Sequence, residues 1–214
     1  MTRPAPTDAN VASLDSETRS LVRLSAVVTA GSETQLRAVI AEAVGVVRPS
    51  WVEEVILQSY LFGGFPRALN AMREWRRASG ELAPVEDETA GIEHAAAWER
   101  DGERTCAAVY GRFYERLRDN IRDLHPALDA WMVVDGYGKV LSRPELDLRR
   151  RELCIVASCA LGRQDRQLHS HLHGALHVGA HPEELTAVLE ALDDLLPAPD
   201  LRRYHELLAK VVRQ

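Results

Sequence analysis

Residues 146–179 read LDLRRRELCIVASCALGRQDRQLHSHLHGALHVG. Leu153, Val156, Ala157 and Ala160 recur at three- and four-residue steps, and so do Leu168, Leu172, Ala175, Leu176 and Gly179. That period predicts two helices, Leu146 to Leu161 and Gln164 to Gly179, packed back to back across the turn Gly162-Arg163-Gln164-Asp165. Glu152 lies near the start of the first and His171 midway along the second. Taken from Arg163, they stand ~16 and ~12 Å from the turn at 1.5 Å rise per residue, so an antiparallel pair brings them within one turn in height. Each borders its helix's apolar stripe, His171 at roughly 80° from the stripe's centre. An acid and an imidazole at the rim of a buried seam suit proton transfer, with the carboxylate orienting the ring. A structural buried hydrogen bond fits the same placement.

Working outward, the same period recurs along the chain. Helices are predicted over Ser13 to Ala30, Glu33 to Val46, Trp51 to Leu61, and from Pro66 to about Ala78. Ser79 to Ala90 holds Gly80, Pro84 and four acids and reads as a linker. Gly91 to Trp98, Glu103 to Tyr114, Leu117 to Leu124 and Ala127 to Gly136 follow, with Gly136 and Gly138 loosening the chain before Ser142-Arg143-Pro144. Glu183 to Leu196 and Asp200 to Val212 complete it. Trp131 to Val134 is the nearest approach to a strand pattern and is short. The expected fold is all-α with about ten helices.

Sliding the sequence by 132 residues aligns its two ends. Leu14-Asp15 falls on Leu146-Asp147, Arg19 on Arg151, Leu21 on Leu153, Gln35-Leu36 on Gln167-Leu168 and Ala43 on Ala175. This predicts a tail over 1–13, a module over 14–78, a linker and connecting helices over 79–145, and a related module over 146–214. Ser20 and Val39 stand where Glu152 and His171 stand. Only the second copy carries the acid and the imidazole.

Composition narrows the function. The 214 residues carry a net charge of −6, which suggests no general affinity for nucleic acid. No window is apolar for the ~18 residues a membrane span needs. Three cysteines, Cys106, Cys154 and Cys159, point to reduced thiols in a cytoplasm rather than to a disulfide framework. His169, His173 and His177 are spaced by four, but no clear third ligand accompanies any two of them, so no designed metal site is expected.

These motifs resemble the carboxymuconolactone decarboxylase family. The resemblance rests on Leu146-Asp147, Arg151-Glu152-Leu153, Leu168-His169-Ser170-His171, and Ala175 through Gly179-Ala180 with Pro182-Glu183-Glu184. It extends to Gly64-Phe65-Pro66-Arg67-Ala68-Leu69-Asn70-Ala71, Tyr137-Gly138 and Val140-Leu141-Ser142-Arg143-Pro144, and covers most of residues 14–212. It implies the all-α alkylhydroperoxidase-like helical fold, a homo-oligomer (trimer or hexamer), and a cofactor-free decarboxylase of a carboxymuconolactone-like lactone in aromatic catabolism. His171 and Glu152 would form the catalytic pair. Arg163, Arg166 or Arg67 would hold a small anionic substrate, and Tyr60 and Phe65 would wall the pocket. The same superfamily holds peroxidases that use Glu, Cys-x-x-Cys and His. Glu152 and His171 match that pair, but the cysteine positions fall on Gln164 and Gln167. A peroxidase or oxidoreductase is therefore the second reading, and a non-catalytic helical assembly the third.

Overall fold

A computed structural model describes residues 14–213; the tail expected over 1–13 lies outside them. The described residues contain no strand. Eleven α-helices follow one another: α1 Ser16–Ala30, α2 Glu33–Ala43, α3 Pro49–Gly63, α4 Phe65–Ser79, α5 Ala95–Tyr110, α6 Tyr114–Leu124, α7 Pro126–Trp131, α8 Leu148–Leu161, α9 Asp165–His177, α10 Pro182–Glu190 and α11 Ala198–Val211. A π-helix, Met132–Leu141, continues α7 without a break.

Local chemistry sets the helix starts. Asp15 accepts from the Thr18 amide at 2.7 Å and Asp147 from the Arg150 amide at 3.0 Å. Ser32 and Gln35 form a reciprocal capping box. Prolines open α3, α4, α7, α10 and α11, where a missing amide proton costs nothing. Helices begin at residues 16, 33, 49 and 65 and again at 148, 165, 182 and 198, offset by 132, 132, 133 and 133.

The core is built on α1 and α8, which cross each other at the centre. Every residue of α8 from Arg151 to Ala160 is buried. A helix enclosed on all sides shows little amphipathic bias, which explains its mixed sequence. Small polar groups sit at the crossing: Ser25 Oγ and Ser158 Oγ lie 2.8 Å apart, and Thr29 Oγ1 donates to Ser158 Oγ at 2.9 Å. Arg151, fully buried, is satisfied by Glu54 Oε2 at 2.7 Å and by the carbonyls of Leu146 and Arg143 at 3.0 and 3.1 Å.

The connector departs from the expected pattern. Gly91 to Trp98 and Glu103 to Tyr114 are not separate helices; α5 runs unbroken through Gly102. Nor do Gly136 and Gly138 loosen the chain, since both lie inside the π-helix. Gly102 and Gly138 serve contact instead. A Cβ on Gly102 would run into the Val133 carbonyl oxygen, and one on Gly138 into the Trp98 carbonyl oxygen. Two backbones touch where the sequence pattern suggested breaks. The linker is pinned as well. Arg143 bridges buried Glu54 at 2.8 Å and Asp87 at 2.9 Å, and the Trp98 indole donates to the Thr89 carbonyl at 3.1 Å. Helix α6 buries no residue fully and is tied to α7 by Arg118 and Arg122, both paired with the buried Asp129.

Candidate active site

The expected juxtaposition of Glu152 and His171 is present. His171 Nδ1 lies 2.8 Å from Glu152 Oε2. Glu152 is wholly enclosed in α8, and His171 on α9 keeps only 7% of its surface exposed. Gly174, one turn beyond His171, makes room for the pair. A Cβ there would lie 2.6 Å from Val109 Cγ1 and 2.9 Å from Glu152 Oε2. Glu152 Oε1 is buried with no protein partner among the described residues. Among the described residues the imidazole is thus the sole hydrogen-bonding partner of the Glu152 side chain. A carboxylate so placed fixes the proton on Nδ1 and holds the ring in one orientation. Nε2 is left to face the cavity that His171 lines.

That cavity has a volume of about 710 Å³. Its walls come from the α3–α4 junction, α5, α6, the α7–π segment and α9, and are mostly apolar. The Phe62 and His171 rings form a T-shaped pair with centroids 6.3 Å apart, and the Tyr110 ring lies at 6.4 Å. Asp135, Lys139 and Arg166 are its charged lining residues.

The remaining candidates divide. Tyr60, Phe65 and Arg166 line the cavity, and the Tyr60 and Phe65 rings stack 4.7 Å apart. Arg166 makes no ion pair among the described residues. Arg67 and Arg163 do not reach the cavity. The Arg67 guanidinium is spent on the C-terminal end of α1, donating to the carbonyls of Val28 at 2.6 Å, Val27 at 3.2 Å and Gly31. The last carbonyls of a helix lack partners within it, so an arginine there acts as a cap. Arg163 occupies the turn with φ 55°, is largely exposed, and pairs with Asp200 at 3.2 Å.

All three cysteines are free and buried, and none lines the cavity. Burial pushes the Cys106 thiol up to about 12 and the Cys154 and Cys159 thiols higher still. Of the histidine run, His169 and His173 pack ring to ring at 4.9 Å, and His177 Nδ1 lies 2.8 Å from the Val109 carbonyl oxygen. Burial, then the neighbouring His169 and His177, hold His173 below the usual imidazole range. Among the described residues no group of three His, Cys, Asp or Glu side chains is arranged to hold a metal ion.

Residues 126–199 match the model of the carboxymuconolactone decarboxylase family. Over those residues the chain is similar to that family. The match spans about a third of the chain and includes Trp131, Tyr137, Glu152, Arg166 and His171. The cavity residues Tyr60, Phe65 and Tyr110 lie outside it. The chain is also similar to Peroxisomal protein 2 of Saccharomyces cerevisiae, with 28% identity over 160 residues. That alignment covers 63% of this chain and 56% of the yeast protein, so the chain spans little more than half the length of this curated relative. No described helix is long and apolar enough to cross a membrane.

Two groups in the cavity escape a reading by period alone. Tyr137 Oη donates to Tyr110 Oη at 3.1 Å, and both rings line the cavity beside His171. Tyr110 was traceable in principle, because it falls four residues after buried Cys106 on one helix face. Tyr137 was not, because a π-helix shifts the face on which a side chain emerges.

Proposed function

We propose that this protein is a cofactor-free decarboxylase of a carboxymuconolactone-like lactone, with His171 as proton donor and Glu152 orienting it. The observation that carries this reading is the 2.8 Å contact between Nδ1 and Oε2 at the wall of a cavity that contains no thiol. The bond from the substrate carbon to its carboxylate breaks and carbon dioxide leaves. Its electron pair moves through the conjugated system to the lactone carbonyl oxygen. The pair returns to carbon as His171 Nε2–H delivers a proton, and the neutral ring regains one from water. The conjugated lactone is its own electron sink, so the reaction asks for positioning and charge stabilisation. Arg166 holds a substrate carboxylate, and Tyr60 and Phe65 enclose the apolar part.

The peroxidase reading is weaker, because every thiol is buried with its pKa raised and none lines the cavity. In the assembly we propose, a second copy covers the cavity mouth. Leu124, Leu128 and Trp131 are 77%, 48% and 61% exposed along α6 and α7 and support this. The matching helix starts support reading 14–78 and 146–214 as related modules. The three reduced thiols suit a reducing compartment such as the cytoplasm.

The test is ultraviolet-monitored loss of 4-carboxymuconolactone. Turnover is expected, and it persists when Cys106, Cys154 and Cys159 are all replaced by Ala. Inactivity of the wild-type protein overturns the lactone reading, and activity lost only with the cysteines favours the thiol route.

A further inference from the structure

The Tyr110–Tyr137 pair has no part in the proton delivery just described, yet it sits in the same cavity. Tyr137 is buried, and its ring meets the Tyr110 ring edge-on with centroids 6.0 Å apart. Its hydroxyl donates to Tyr110 Oη, so the Tyr110 oxygen is an acceptor in that bond and keeps its own proton. Tyr110 Oη donates no hydrogen bond among the described residues. Burial raises both phenols above the usual tyrosine range, and the Glu152 carboxylate adds to the rise. Both therefore stay neutral, as O–H donors, at physiological pH. A bond received from Tyr137 polarises the Tyr110 O–H and strengthens it as a donor. Tyr60 is placed otherwise. It stacks on Phe65, and burial followed by the Asp135 charge raises its pKa, so an acid is its charged neighbour.

We propose that Tyr110 donates a hydrogen bond to the carbonyl oxygen of a conjugated carbonyl substrate, with Tyr137 positioning it, so that negative charge developing on that oxygen is held beside His171. This rests on the proton-transfer reading of His171. The phenol shares its proton without transferring it. The electron pair that arrives on oxygen returns to carbon when His171 protonates the carbon, and the Tyr110 O–H is unchanged at the end. Stabilisation by a fixed donor in a cavity screened from water is a large term in reactions that pass through oxyanions.

The test uses 4-nitrophenolate, whose oxyanion mimics the developing enolate and whose absorption reports hydrogen bonding. The expected result is binding by the wild-type protein with a blue-shifted absorption. Tyr110→Phe weakens binding about 10- to 100-fold, the range for losing a hydrogen bond to a charged group, and abolishes the shift. Tyr137→Phe leaves the probe bound with an intermediate shift, which a purely structural role would not produce. Each substitution removes one oxygen atom, and near-ultraviolet circular dichroism checks that the packing survives. If Tyr110→Phe binds as tightly with the same spectrum, or if the wild-type protein does not bind the probe, the inference is overturned. The two proposals fail separately. Lactone inactivity with tyrosine-dependent probe binding removes only the substrate, whereas turnover with tyrosine-independent binding removes only the donor.

Discussion

At the scale of single residues, the decisive contacts are made where a side chain is missing. Gly102 and Gly138 let α5 and the π-helix meet backbone to backbone, and Gly174 lets α9 settle against the Glu152 carboxylate. Gly102→Ala forces a methyl group onto the Val133 carbonyl and is expected to destabilise the fold by about 3 kcal/mol, the upper end of overpacking costs. Gly136→Ala in the same π-helix meets nothing within 4 Å. It is expected to change stability by less than about 1 kcal/mol, the size of the glycine helix-propensity deficit. Urea denaturation of the two variants checks the contrast, and equal midpoints would contradict it. Glu152 and His171 were legible in the sequence because two helices and one short turn fix their relative height. Arg67 was not. A long side chain near a glycine-rich turn looks free until the fold places the end of α1 beside it. Glu54 and Arg151 were equally hidden, since a buried ion pair between α3 and α8 leaves no periodic trace.

Among the elements, the outer helices were legible because their caps are written locally in Asp15, Ser32, Asp147 and the first-turn prolines. The middle of the chain was not, because glycine signals both a break and a close approach. The linker between α4 and α5 shows a second limit. Its composition reads as loose, yet Arg143 and Thr89 hold it in place. Burial raises the Asp87 carboxyl, but hydrogen bonds from Arg143 and Thr89 outweigh that and bring it down from 3.8 to about 2. A carboxyl depressed on folding contributes stability that is present above its unfolded value and is lost as pH falls through its folded value. The linker is therefore expected to stay docked above about pH 4 and to loosen as pH approaches 2. The Thr89 amide, which donates to Asp87 Oδ1 at 3.0 Å, is the reporter. Its hydrogen-exchange protection should fall over that interval, and Asp87→Asn should remove the step. Unchanged protection at low pH would contradict the pairing.

For the whole molecule, the cavity is a joint product. Tyr60 and Phe65 come from the first half, Tyr110 and Tyr137 from the connector, and Arg166 and His171 from the second half. The all-helical fold and the contact between Glu152 and His171 could be read from the sequence. The cavity walls could not, because they depend on how the connector folds over both halves. The family match over 126–199 contains both residues and leaves out the cavity residues Tyr60, Phe65 and Tyr110. The central claim is that His171 delivers a proton into this cavity under the direction of Glu152. Its most direct test is the rate of 4-carboxymuconolactone loss for the wild-type protein and for His171→Gln, with folding verified for both. A fall of about 10²- to 10⁴-fold is predicted, the usual contribution of a positioned general acid; an unchanged rate would contradict it.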